Sequence, residues 1–184
     1  MTVPTELDTR FRAATTGLVD VAYDFADSPL GPLFVAATER GLCRLSFDAE
    51  PEAEEERLAR GFGARVLRSP RALDEVRREL DDYFEGRRQA FELPVDLRPV
   101  GDFQRAILGR LVQVPYGSVT TYGKLATESG RPRAARAVGM AMNRNPVPIV
   151  LPCHRVVGAG GDLVGYGGGL DRKVALLKLE GVQL

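Results

Sequence analysis

The chain has 184 residues, of which 44% are hydrophobic and 27% charged, so it can form one ordinary domain or two small ones. Its two cysteines are too few for a disulfide scaffold, and its single histidine excludes a histidine-rich metal site. The formal net charge is +0, which taken alone argues against a protein that binds nucleic acid.

Residues 1–16 predict a flexible tail. They carry early acidic residues and no apolar run, so they are unlike a signal peptide. No stretch of the chain approaches the ~18 consecutive apolar residues that a membrane span needs. We therefore expect a cytoplasmic protein of the bacterial type, with no membrane partner and with reduced cysteines.

Alternating apolar and polar residues then predict an antiparallel meander of three strands. These strands cover residues 18–25, 33–37 and 42–47. Two helices are predicted over 52–62 and 71–85, and 91–95 is a candidate edge strand. Cys43 lies in the middle of the third strand, where we expect a small packing residue rather than a nucleophile.

The second half of the chain differs in charge. Residues 1–100 carry 14 Lys and Arg against 20 Asp and Glu, whereas residues 101–184 carry 11 against 5. The change from a net −6 to a net +6 indicates two domains, the second facing an anionic partner. A chance fluctuation of charge along the chain is the alternative interpretation.

Three helices are predicted next, over 102–112, 122–128 and 133–143. Asp102 is the candidate N-cap of the first, Thr120 or Thr121 caps the second, and Pro132 opens the third. The short turn between the last two predicts a helix-turn-helix. The small residues of the third helix permit close approach to DNA, or equally to a neighbouring helix. A buried strand over 149–151 and a closing helix over 171–179 complete the chain.

Cys153 and His154 are the candidate reactive pair. A cysteine attacks as the thiolate, and an imidazole can remove its proton. Adjacent residues of an extended segment point opposite ways, so this pair needs a sharp turn or a bridging water. Glu180 is a candidate to orient the imidazole. The alternative is a buried structural cysteine beside a capping histidine.

The residues around this pair resemble a known family. Residues 145–157, NPVPIVLPCHRVV, are similar to the active-site signature of the O6-alkylguanine-DNA alkyltransferases. The resemblance covers nearly all of residues 102–181. Its other motifs are VPYG at 114–117, TYGKLA at 121–126, AARAVG at 134–139, GYGGGL at 165–170 and LKLEG at 177–181. In the first half, only SPLG at 28–31 resembles the opening hairpin of the family.

The resemblance implies an α+β fold, with an N-terminal ribonuclease-H-like α/β domain at 17–98 and a C-terminal winged-helix-like domain at 99–184 that holds the helix-turn-helix. The implied function is direct-reversal DNA repair by a stoichiometric methyltransferase. An alkyl group moves irreversibly from O6 of guanine to Cys153 after nucleotide flipping, with O4 of thymine left open. The implied partner is double-stranded DNA carrying O6-alkylguanine, bound by a monomer, with cooperative binding left open. No cofactor is implied.

The resemblance also implies roles for individual residues. Cys153 accepts the alkyl group, His154 activates it through a water, Glu180 holds His154, and Asn145 is a hinge. Arg136 fills the hole left by the flipped nucleotide, and Tyr122 contacts a phosphate and the flipped base. The other implied DNA-binding residues are Arg133, Ala134, Ala135, Ala137 and Gly139. The implied substrate pocket comprises Tyr122, Met142, Pro148, Val156, Tyr166, Gly167 and Gly168.

The sequence departs from the family pattern at Gly167, where a serine is frequent, and it lacks the ligands of the zinc site that some members carry. The main alternative is a non-catalytic alkyltransferase-like protein that recognises lesions, but the intact Cys153 argues against it. A transcription regulator and a cysteine hydrolase are further alternatives. The first would need more base-reading side chains on its second helix, and the second would need turnover of its covalent intermediate.

Overall fold

The computed structural model describes residues 18–183, so the predicted tail at 1–16 lies outside the described residues. The chain divides between Pro99 and Val100 into two compact units. Helices and a mixed sheet are both present, which confirms the predicted α+β class. Within residues 18–183, no helix has the length and apolar character needed to cross a membrane.

A four-stranded sheet in the order β3-β2-β1-β4 forms the centre of the N-terminal unit. Its strands are β1 (Val21–Ala26), β2 (Leu33–Thr38), β3 (Gly41–Phe47) and β4 (Val66–Arg68). The first three strands pair antiparallel, which confirms the predicted meander. The β4 strand pairs parallel to β1 and is not predicted from the sequence, because three residues are too few to show strand alternation.

Two helices accompany this sheet, α1 (Pro51–Phe62) and α2 (Asp74–Phe84). The α1 helix places Leu58 in a core cluster with Phe34 and Cys43. The Sγ atom of Cys43 donates to the carbonyl of Ala36 at 3.3 Å, and burial raises the pKa of this thiol. Cys43 therefore packs in the sheet, as expected, and its sulfur is not available as a nucleophile.

The predicted edge strand over 91–95 is wrong. Of this segment only Val95 forms a bridge, parallel to Leu42 of β3. Pro94 has no backbone N–H to donate, although its carbonyl accepts from Leu42 at 2.8 Å. The backbone comes so close here that a Cβ at Gly41 would lie 2.3 Å from the Pro94 oxygen, and Gly41 also has a φ of 136°. Only glycine fits this position.

Over its described residues, 100–183, the C-terminal unit contains four α-helices and a two-residue parallel ladder. In chain order these are α3 (Asp102–Leu111), β5 (Thr120–Thr121), α4 (Tyr122–Glu128), α5 (Ala135–Asn143), β6 (Val156–Val157) and α6 (Leu170–Leu179). The α4 and α5 helices pack on each other and on α3, which confirms the predicted helix-turn-helix. Thr121 caps α4, because its Oγ1 atom accepts from the Lys124 amide at 3.1 Å.

Three local predictions in this unit are wrong. Asp102 is the first residue of α3, and Gly101 precedes it without a side-chain cap. Pro132 lies in the turn, so α5 starts only at Ala135. Residues 149–151 form turns rather than a strand, since Ile149 has a φ of 74° and the Leu151 amide donates to the Val147 carbonyl at 2.9 Å.

Candidate active site

Cys153 begins a single turn of 3-10 helix that ends at Arg155 and leads directly into β6. The Cys153 amide donates to the Leu151 carbonyl at 2.8 Å, and the Arg155 amide donates to the Pro152 carbonyl at 3.0 Å. This is the sharp turn that the adjacent cysteine and histidine require. The parallel pairing of Thr120 with Val156 fixes the end of the turn.

The buried side chain of Asn145 holds the segment that precedes this turn. Its Nδ2 atom donates to the Leu151 carbonyl at 2.7 Å, and its Oδ1 atom accepts from the Val147 amide at 3.0 Å. Between these contacts, the β-branched Ile149 adopts a left-handed backbone, which is an unfavourable conformation held by its surroundings. Asn145 thus connects the end of α5 to the turn that carries Cys153.

His154 and Arg155 both contact the carboxylate of Glu180, which follows α6. The distance from His154 Nε2 to Glu180 Oε1 is 2.8 Å, and Arg155 donates through Nε to Oε2 at 2.9 Å. Arg155 also donates through Nη1 to the Val114 carbonyl at 2.6 Å. All three side chains are buried. The imidazole of His154 therefore lies beside a buried ion pair between Arg155 and Glu180. The importance of Arg155 is not predicted from the sequence.

The turn at 114–117 closes the other side of Glu180. The Gly117 amide donates to Glu180 Oε2 at 3.3 Å, and the Tyr116 hydroxyl donates to the Leu179 carbonyl at 2.9 Å. Gly117 has a φ of 72°, and a Cβ there would lie 2.9 Å from the Glu180 carbonyl oxygen. This close approach explains the glycine of the VPYG motif.

Burial governs the protonation of the reactive pair. It raises the pKa of the Cys153 thiol to about 11, although the Asn145 side chain and the Lys173 charge act in the opposite direction. Burial also lowers the pKa of His154. The contact with Glu180 acts in the opposite direction, and the positive charges of Arg155 and Lys173 offset part of the Glu180 effect. The resting site therefore contains a protonated thiol and a neutral imidazole.

Lys173 is a site residue that the sequence analysis misses. Its side chain is fully buried in α6, and its Nζ atom donates to the carbonyls of Val156 at 2.6 Å and Val164 at 2.9 Å. The sequence does contain a signal for it. Lys173 shares the helical spacing of the buried Leu176, Leu177 and Glu180, so a charge lies on the apolar face of α6.

The Tyr122 side chain lies close to Lys173, because both donate to the carbonyl of Val164. Its hydroxyl donates to the Val164 carbonyl at 3.4 Å, and a Cβ at Gly139 would lie 3.9 Å from its ring. Burial raises the pKa of Tyr122, and the neighbouring Cys153 contributes in the same direction. Tyr122, the first residue of α4, therefore lies next to the middle of α5 and near the reactive cysteine.

The other predicted pocket residues differ in exposure. Met142 and Val156 are buried, Pro148, Tyr166 and Gly168 are half-buried, and Gly167 is exposed. A Cβ at Gly167 would touch only the Asn143 carbonyl oxygen, at 3.8 Å. A small side chain therefore fits at position 167.

The other predicted DNA-binding residues lie on α5 and in the turn before it. Ala134, Ala135, Ala137 and Gly139 are half-buried, whereas Arg133 and Arg136 are exposed. Within residues 18–183, neither arginine is bonded to another side chain. Their charges are therefore available to an anionic partner. The same described residues contain no group of three metal-ligating side chains.

Comparison with known proteins places this site in a family. The ribonuclease-like domain of 6-O-methylguanine DNA methyltransferase matches residues 21–97, and its DNA-binding domain matches residues 102–182. A methylated-DNA--protein-cysteine methyltransferase of Methanosarcina barkeri is 43% identical over 159 residues, which cover 86% of this chain and 96% of the relative. The chain belongs to the 6-O-methylguanine DNA methyltransferase family.

Further relatives in this family agree. The methylated-DNA--protein-cysteine methyltransferase of Mycobacterium leprae is 42% identical over 84% of this chain and 88% of its own. The solved structure of Mycobacterium tuberculosis OGT in complex with DNA is 40% identical, with a TM-score of 0.76 over 86% of this chain and 92% of that chain. The resemblance identified from the sequence motifs is confirmed, as are the ribonuclease-like N-terminal domain and the DNA-binding C-terminal domain.

Proposed function

We propose that the protein repairs duplex DNA by transferring an alkyl group from O6 of guanine to Sγ of Cys153. The observation that carries the proposal is the buried contact between His154 and Glu180 directly beside Cys153, on the turn that follows the helix-turn-helix. Residues 99–184 supply both DNA binding and transfer. The relatives' printed names, methylated-DNA--protein-cysteine methyltransferase, support the reaction class.

The hydrogen bonding of His154 supports its role as the base. Because the Glu180 carboxylate can only accept, Nε2 of His154 carries the hydrogen and Nδ1 keeps its lone pair. Nδ1 is buried, and none of the described residues bonds to it. It takes the thiol proton, directly or through one water, while Glu180 stabilises the imidazolium that forms.

In the transfer step, the Cys153 sulfur attacks the alkyl carbon as the bond from that carbon to O6 breaks. A thioether forms on the protein, and the guanine leaves with the electron pair of the broken bond. The proton held by His154 then neutralises the guanine anion. A thioether has no carbonyl for water to attack, so the cysteine is not regenerated. Each molecule therefore removes one lesion.

The reacting atom lies inside a base pair, so the nucleotide must be turned out of the stack to meet a buried sulfur. Arg136 is exposed on α5 and enters the duplex in its place, while the half-exposed Tyr122 receives the base and a neighbouring phosphate. The small residues of α5 allow the helix backbone to approach the DNA closely. Extrusion costs a few kcal/mol, and less when the base is already mispaired.

The test is intact-protein and peptide mass spectrometry after incubation with a duplex that contains one O6-methylguanine. We expect one methyl group on Cys153 in the wild-type protein and in a Cys43→Ala control. Cys153→Ala should gain none and still bind the duplex. DNA binding without any methyl on Cys153 of the wild-type protein would overturn the proposal in favour of a lesion-recognition protein.

A further inference from the structure

The exposed face of α5 carries one large apolar side chain among polar and charged ones. Met140 is 56% exposed and lies one turn after Arg136, and the exposed Asn143 and Arg144 follow it. We call these four residues the outer face of α5. The opposite face of the helix is buried through Val138, Ala141 and Met142. Packing within the C-terminal unit therefore does not explain why a methionine stands at position 140.

The composition of the outer face indicates an anionic partner with an apolar interior. The charge of Arg144 suits a phosphate, but an exposed methionine gains nothing from a phosphate, and its contact with water is unfavourable. Duplex DNA combines a charged backbone with apolar base surfaces. Proteins that bend or open it insert methionine and similar side chains between base steps. Met140 therefore matches the base stack, and Arg144 matches the backbone beside it.

The spacing on the helix fits this arrangement. Four residues of α-helix advance by about 6 Å along the axis, and stacked bases are about 3.4 Å apart. Met140 therefore reaches a base within about two steps of the position that Arg136 occupies. The half-buried Ala137 and Gly139 lie between them and present no long side chain that would hold the helix away from the DNA.

We propose that Met140 is an apolar wedge that packs against the bases exposed when the damaged nucleotide is turned out. This inference rests on the proposed function and adds a residue to it. Arg136 fills the hole, and Met140 covers the adjoining base surface that has lost its stacking partner. Its contribution is confined to duplex substrates, because a free base has no neighbouring stack.

The experiment compares Met140→Ala and Met140→Gln with the wild-type protein on two substrates, a duplex with one O6-methylguanine and free O6-benzylguanine. Alanine removes the wedge without lowering helix propensity, and glutamine keeps its length but not its apolar character. The control is Leu67→Ala, because Leu67 is also apolar and 56% exposed but lies in the N-terminal unit.

We expect the second-order rate on the duplex to fall about tenfold in Met140→Ala and by a smaller factor in Met140→Gln. Rates on the free base should stay within about twofold in every variant, and Leu67→Ala should match the wild type on both substrates. The fluorescence of a 2-aminopurine beside the lesion should rise more on binding to Met140→Ala, because the neighbouring base stays uncovered.

Unchanged duplex rates in both Met140 variants, or equal losses on the duplex and the free base, would overturn this inference alone. Failure of the wild-type protein to transfer an alkyl group to Cys153 from either substrate would overturn the proposed function, and this inference with it.

Discussion

Nε2 of His154 lies 2.8 Å from Oε1 of Glu180, and both side chains are fully buried. This contact sets the tautomer of the imidazole and leaves Nδ1 as its basic atom. Two further buried cations, Arg155 and Lys173, oppose the addition of a second proton. The imidazole therefore stays neutral at physiological pH, as its proposed role as a base requires.

The first prediction is that the acid limb of the transfer rate lies below pH 6.5, the ordinary pKa of histidine. Burial lowers the pKa of folded His154, so the base is lost only in more acidic solution. The unfolded chain binds more protons in the same window, so the free energy of unfolding should also fall as the pH drops below 6.5. The pH profile of the rate on free O6-benzylguanine measures this without the contribution of DNA.

The Glu180→Gln variant provides a second test of the pKa of His154. The carboxylate raises the pKa of His154, so its removal should shift the acid limb further down while the rate itself decreases. An acid limb above pH 6.5 in the wild-type protein, or a shift to higher pH in the variant, would contradict the assignment of His154 as the base.

The second prediction concerns Lys173, whose ammonium group joins the carbonyls of Val156 and Val164. Lys173→Met preserves the shape of the side chain but leaves both carbonyls without this donor. We expect about 2–3 kcal/mol less free energy of unfolding by chemical denaturation. The rate at neutral pH should also decrease, because the charge of Lys173 lowers the pKa of Cys153.

Lys178→Met is the matched control for this prediction, since Lys178 is exposed on the same helix. It should change the free energy of unfolding by less than about 0.5 kcal/mol and leave the rate unaltered. Equal effects of the two substitutions would show that the buried contacts of Lys173 are dispensable.

The third prediction separates the roles of two arginines. Arg136→Ala should reduce the rate on a duplex lesion by more than about tenfold and barely affect the rate on free O6-benzylguanine, because only the duplex requires extrusion. Arg133→Ala should mainly weaken DNA binding and reduce its salt dependence, as expected for a phosphate contact. Similar losses of Arg136→Ala on both substrates would count against a role inside the duplex.

The fourth prediction concerns the width of the alkyl pocket at Gly167. A serine fits there, since a Cβ would touch only the Asn143 carbonyl oxygen, at 3.8 Å. Gly167→Ser adds bulk and a hydroxyl donor that can reach the departing O6. We expect the ratio of benzyl to methyl transfer rates to fall. The measurement is single-turnover transfer from duplexes carrying each adduct. A ratio that stays the same or rises would show that position 167 does not determine the size of the pocket.

Much of this arrangement could be predicted from the sequence because its signals are local. Alternation revealed the meander, the capping Thr121 marked the start of α4, and the motif around Cys153 identified the reactive turn. Glu180 lies 26 positions from His154. Its place at the end of the last helix made it only a candidate to orient the imidazole, and the family resemblance implied that role.

The remaining features depend on tertiary contacts that no local pattern encodes. The left-handed backbone of Ile149 opposes the preference of a β-branched residue, so the sequence predicted a strand where Asn145 imposes a turn. Pro132 favoured an early start for α5, but the turn continues to Ala134. Arg155 looked like an ordinary charged residue until the structure placed its guanidinium on Glu180.

The short ladder between β5 and β6 joins the helix-turn-helix to the reactive turn. Thr121 both caps α4 and pairs with Val157, while the neighbouring Thr120 pairs with Val156 just after the reactive turn. The helices proposed to bind DNA and the segment that carries Cys153 are thus connected in the protein without DNA. We therefore expect the nucleotide, rather than the reactive turn, to make the larger movement during repair.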